Sequence, residues 1–125
     1  MVRTVFCDLD GTLVKQPKDI TLLASPDYEL KLLPGVKEFL HNIDSKRHHL
    51  IITTGRKESL RPATIKQLER VGIWYDQLIM GFGGSERVLI NNTKWNSDEP
   101  TAHAVTVKIN EGLLDHDFLG SFLCF

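Results

Sequence analysis

No apolar run in this chain approaches the roughly 20 residues that a bilayer-spanning helix needs. No basic-then-apolar leader opens it either, because Asp8 and Asp10 interrupt the first apolar segment; a cytoplasmic protein is expected. Cysteine is scarce: Cys7 and Cys124 form no spaced framework, so a disulfide scaffold is excluded and free thiols are the expectation. An excess of basic residues is missing too. With 15 Lys and Arg against 16 Asp and Glu, the net charge is -1 and no nucleic-acid footprint appears. His41, His48, His49, His103 and His116 are scattered, without the spacing of a zinc site. There is no internal repeat, low-complexity stretch or linker rich enough to divide the chain. The 125 residues suit one compact domain over 1–125, and a hydrophobic fraction of 42% with 25% charged residues is ordinary for a globular protein.

What is present is an alternation of two periods. Residues 2–7, VRTVFC, are β-branched and aromatic and read as a short buried strand. Residues 14–33 carry Pro17 and Pro26 and read as an irregular or hairpin-like excursion. Pro34 and Gly35 open a helix with Val36, Phe39, Leu40 and Ile43 on one face. HHLIITT is a second strand ended by Gly55, and a second helix follows, with Leu60, Thr64, Leu68 and Val71 sharing a face and Gly72 as its stop. YDQLIM reads as a third strand closed by the Gly81-Phe82-Gly83-Gly84 turn, RVLI (87–90) as a fourth, and AVTVKI (104–109) as a fifth. The tail LLDHDFLGSFLCF is expected to pack back as a helical turn or two. Strands separated by helices imply βαβ units and a mostly parallel sheet of about five strands in a minimal three-layer α/β domain. Trp74 and Trp95 read as packing residues, Trp95 close enough to the rim to touch a substrate.

The stretch VFCDLDGTLV places two aspartates, one residue apart, where the first strand ends. In a parallel sheet, ligands sit beyond the carboxyl ends of the strands. Asp8, Thr53-Thr54-Gly55 and Asn91-Asn92 are all expected at that rim. Two close carboxylates raise each other's pKa unless a cation relieves them, and oxygen donors suit Mg²⁺. Gly11 allows a sharp turn with backbone N–H groups aimed at an anion. A carboxylate nucleophile, a proton-shuttling carboxyl, a hard metal and anion-cradling amides suit phosphoryl transfer. A calcium loop of the EF-hand kind is excluded, since a strand precedes the D-x-D-G and the glycine comes too early. A cysteine phosphatase at Cys7 is excluded because Leu13 and Val14 stand where an arginine is needed.

DLDGT after a hydrophobic strand resembles motif I of the haloacid dehalogenase superfamily, most of whose members are Mg²⁺-dependent phosphatases. LLPGVKEFL, LIITTGR and GIWYDQLIMG are also similar to that family, and the resemblance runs from about residue 3 to about residue 112. It implies a Rossmann-like domain in which Asp8 is the nucleophile and a metal ligand. Asp10 would be the general acid and base, its backbone carbonyl also on the metal. Leu9, Gly11, Thr54 and Gly55 would bind phosphate, with Thr53 the fallback for Thr54. The motif III cation would be Arg87, with Lys94 and Lys66 as alternatives. Arg56 would hold substrate or pair with a surface acid. At motif IV the family carries an acid where this chain reads Asn91-Asn92. Asn92 would bind Mg²⁺ without bringing charge, and Asp98 could substitute. The segments between these motifs leave no room for a cap domain. The resemblance therefore implies an open site for a phosphorylated sugar or macromolecule, or a homo-oligomer that covers it. The alternative is a weakly active or inactive relative that binds a phosphorylated ligand or a protein partner.

Overall fold

The computed structural model describes residues 2–114; most of the expected C-terminal turn, with Cys124, lies outside the described residues. Three parallel strands, β1 (Thr4–Asp8), β2 (His49–Thr54) and β3 (Gln77–Met80), form a sheet with β2 in the middle. The register runs from Thr4 opposite His49 to Asp8 opposite Thr53, and from Ile51 opposite Gln77 to Thr54 opposite Met80. All three carboxyl ends therefore meet at one rim, which carries Asp8 and Thr54.

Two helices connect the strands: α1 (Val36–Ser45) and α2 (Arg61–Val71). Helix α1 buries the expected Val36, Phe39, Leu40 and Ile43. Their i, i+3, i+4, i+7 spacing puts one apolar stripe on the core. Helix α2 begins with Pro62 in its first turn and ends at Gly72, whose N–H donates to the Leu68 carbonyl at 3.0 Å. Its buried face is not purely apolar, for Thr64 and Gln67 lie there beside Ala63 and Leu68. Leu9, Leu13, Val14, Ile43, Leu50, Ile52 and Leu68 are wholly buried and form the centre of the core. Each such side chain contributes about 1.5–3 kcal/mol by leaving water.

The excursion is hairpin-like at its base. Val14 bridges Leu32 antiparallel, and the Lys15 N–H donates to the Lys31 carbonyl at 2.9 Å. At its tip a 3-10 helix, Ile20–Ala24, is capped by Asp19, which accepts from the Thr21 N–H at 3.0 Å. Among the described residues, no helix is long and apolar enough to cross a membrane.

The fourth and fifth strands expected at 87–90 and 104–109 do not form; among the described residues the sheet has three strands, not five. Val88 is 86% exposed and Ile90 90% exposed, so their side chains pack on no sheet face. Strand propensity reflects packing on a pleated, half-buried surface, and this segment meets none. Trp95, expected to pack, is 96% exposed. The end of the fifth-strand segment nonetheless docks on the chain's beginning. Asn110 Oδ1 accepts from the Gln16 N–H at 2.7 Å, its Nδ2 donates to the Gln16 carbonyl at 3.1 Å, and its own N–H donates to the Gly11 carbonyl at 2.8 Å.

Candidate active site

The turn that follows β1 is tightly wound. The Leu13 and Val14 N–H groups both donate to the Leu9 carbonyl, at 2.9 and 3.2 Å, and the Gly11 N–H donates to the Val14 carbonyl at 2.7 Å. Gly11 has φ +86°, and a Cβ there would stand 2.8 Å from Ile109 Cγ1, so both conformation and space require glycine. The Gly11 amide expected to face an anion is thus engaged inside the turn.

Asp8 is the last residue of β1 and lies exposed at the rim, where Thr12 Oγ1 donates to its Oδ2 at 3.4 Å. Its pKa is raised from the ordinary 3.8, first by loss of water around the carboxyl. The Leu9 amide hydrogen bond, the Arg87 charge and Thr12 pull it down, while Asp10 pushes it up. Beneath it, burial pushes the Cys7 thiol up to about 12, so this neighbour is an inert core thiol, not a nucleophile.

Asp10 faces inward and meets Arg56. Arg56 Nε donates to Asp10 Oδ2 at 2.9 Å and an Nη to Oδ1 at 2.8 Å, a bidentate pair with the two side chains 3% and 14% exposed. Arg56, expected to hold substrate or to pair with a surface acid, is paired with the second aspartate of the motif. The other Nη donates to Thr64 Oγ1 at 3.1 Å and to Gln67 Oε1 at 2.6 Å. Gln67 Nε2 donates in turn to the Leu23 and Ser25 carbonyls, at 3.0 and 2.7 Å. Sequence reasoning missed Gln67, although a polar residue three positions after Thr64 on a buried helical face was a signal for it.

Thr54 is buried, its Oγ1 accepts from the Arg56 N–H at 3.2 Å, and it lies 3.5 Å from Asp10 Oδ2. Thr53, the fallback, sits across the ladder from Asp8. Gly55 lies directly under the glycine turn: a Cβ there would stand 2.6 Å from the Gly83 carbonyl oxygen. The Gly81 N–H donates to the Arg56 carbonyl at 2.8 Å. This turn carries Arg87 toward the rim, where its guanidinium stacks 4.5 Å from the Phe82 ring centre, donates to the Ser85 carbonyl and lends its charge to Asp8.

Asn92 is not brought to the pair by any hydrogen bond among the described residues. Its carbonyl accepts from Thr101 Oγ1, and with Lys94 and Asp98 it lines an exposed groove over residues 92–98. Lys66 is exposed on α2. Among the described residues no cluster of three or more His, Cys, Asp and Glu side chains is arranged to hold a metal. The Asp8 carboxyl, with Asp10 beside it, still offers hard oxygen donors. Two such donors fit an ion that keeps several waters and takes the rest of its shell from substrate oxygens, as Mg²⁺ does.

No family model and no curated protein matches this chain. Solved structures do. One is a chain of the Pnkp1/Rnl/Hen1 RNA repair complex, 30% identical with a TM-score of 0.55, over 63% of this chain and 25% of that one. Another is a chain of a Pnkp1/Rnl/Hen1 complex, 29% identical with a TM-score of 0.56, over 69% of this chain and 30% of that one. A D,D-heptose 1.7-bisphosphate phosphatase from B. bronchiseptica, crystallised with magnesium and phosphate, matches at 17% identity and a TM-score of 0.47, over 66% of this chain and 51% of that one. The chain thus spans less than a third of each of the first two chains. The likeness to the first two chains is consistent with the α/β fold described above.

Proposed function

We propose that this protein hydrolyses phosphate monoesters through Asp8. The observation that carries the reading is the placement of an exposed carboxyl at the end of β1, with Arg87 acting on it from outside and a second aspartate, oriented by Arg56, behind it. An Asp8 oxygen attacks phosphorus, the ester bond breaks, and the leaving oxygen takes its proton from Asp10. Asp10 then accepts a proton from water as that water opens the aspartyl-phosphate, returning Asp8 and releasing phosphate. Arg87 and the Thr54 hydroxyl steady the phosphoryl oxygens. Mg²⁺, held by Asp8 and Asp10, would neutralise charge between carboxylate and phosphoryl group. Asn92 stands outside this set.

The open rim suits a large phosphorylated substrate, and the likeness to chains of an RNA repair complex supports a phosphorylated macromolecule over a small sugar phosphate. One feature favours the second reading, a weakly active relative that binds a phosphorylated ligand or protein: the motif IV position is Asn92, an amide that brings no charge. Hydrolysis of an aryl phosphate with added Mg²⁺ separates the two. The expected result is slow turnover, reduced at least about a thousandfold by Asp8→Asn, as loss of a nucleophile does elsewhere. No turnover, with phosphate still raising the melting temperature, would establish the binding module instead.

A further inference from the structure

We propose that Gln67 is a positioning residue that ties the Arg56 guanidinium, and through it the Asp10 carboxylate, to the main chain of the excursion at Leu23 and Ser25. The inference rests on the reading of Asp10 as the acid–base group. Gln67 is 1% exposed, and every polar capacity it shows is used: Oε1 toward Arg56, both amide hydrogens toward carbonyls. The orientation of the amide follows from the partners themselves. Turned over, it would set its oxygen against two carbonyl oxygens and its nitrogen against a guanidinium.

The geometry gives this bond a consequence at Asp10. A guanidinium is planar and rigid, so fixing one Nη fixes where Nε and the other Nη point. Those two nitrogens hold the two Asp10 oxygens. Thr64 also receives a hydrogen bond from Arg56, but it is Gln67 that carries the link onward to the 3-10 helix and its C-terminal cap. An apolar side chain of similar length would fill the same space and leave that Nη to Thr64 alone, without the link to the excursion. The tip of the excursion thereby helps to set the direction of an acid–base group in another part of the chain.

The test compares Gln67→Met, Arg56→Lys and the double variant in aryl phosphate hydrolysis with Mg²⁺. Gln67→Met is expected to lower kcat about tenfold, the range for loss of a supporting partner, while KM stays within about twofold. In the Arg56→Lys background it should lower kcat no further, because Gln67 acts through Arg56. An unchanged kcat, or losses that multiply, would overturn the proposal. A second readout is independent of turnover. By ¹⁵N NMR the Arg56 Nε–H should exchange slowly with solvent, and at least tenfold faster in Gln67→Met; equal exchange rates overturn the tie whatever the activity. Should Gln67→Met not fold, the Gln67 side-chain amide protons of the unaltered protein decide: slow exchange supports the tie, and the rate of a solvated glutamine refutes it. An unaltered protein without phosphatase activity removes the reading of Asp10, while the exchange measurements still settle the tie.

Discussion

Residues 4–80 and residues 81–108 respond to the same kind of sequence in opposite ways. HLIITT and RVLI are both short β-branched runs. The first pairs on both sides and buries Leu50 and Ile52 completely; the second pairs with neither edge of the sheet and leaves Ile90 90% exposed. The difference is what precedes each. The second strand follows a helix whose apolar stripe brings the chain back across the sheet, and RVLI follows a glycine turn with no helix to return it. A run of strand formers becomes a strand when the fold delivers a partner row of N–H and C=O groups, and propensity alone does not supply one.

Experiments that perturb the two regions sharpen this contrast. The largest stability effect is expected at Arg56. Arg56→Met leaves the inward-facing Asp10 without its partner, and loss of one member of a buried pair costs about 3–5 kcal/mol, read by denaturant unfolding. A much smaller loss would mean that Asp10 turns out to water. Next comes a matched pair. Leu50→Ala should cost about 2–5 kcal/mol, and Ile90→Ser no more than about 0.5. A cost above 1 kcal/mol at Ile90 would show that the coil is packed, and would break the comparison.

A further effect lies in the pH dependence of Asp8. Its pKa in the folded protein is raised above 3.8, so the folded state holds the proton more tightly than the unfolded chain does. The stability this group contributes is fully present below that ordinary value and is lost as the pH rises through the raised one. At neutral pH the ionised Asp8 is therefore a cost, and Asp8→Asn should melt higher than the unaltered protein. The gap should close as the pH falls through that window; a lower melting point for Asp8→Asn at pH 7 would refute the assignment. The smallest effect belongs to Asn92→Asp, expected to leave Mg²⁺ affinity within about twofold by calorimetry. Tightening would reveal that residues 88–92 close onto β1 in solution.

The sequence was legible wherever one signal had one physical meaning. The four-residue stripe of α1 and the Gly72 stop of α2 specify a helix and its end, and both stand where expected. Asp8 was readable at the rim because a hydrophobic strand ending in D-x-D-G leaves its first acid at the sheet's edge. The direction of Asp10 was not readable. It depends on Arg56, 46 positions away, and on Gln67, a residue whose polarity on a buried face has meaning only once its partners are known. The fourth and fifth strands were misread for the converse reason: their pattern was sound, and the missing element was a neighbour.

The hydrogen bonds from Asn110 to Gly11 and Gln16 set an order of events during synthesis. The loop bearing both aspartates is fastened by a residue that lies 94 positions beyond Gln16 in the chain. The turn between the two aspartates and Val14 therefore cannot be latched before residue 110 has been made, and a chain cut short of that residue would carry the turn without this fastening.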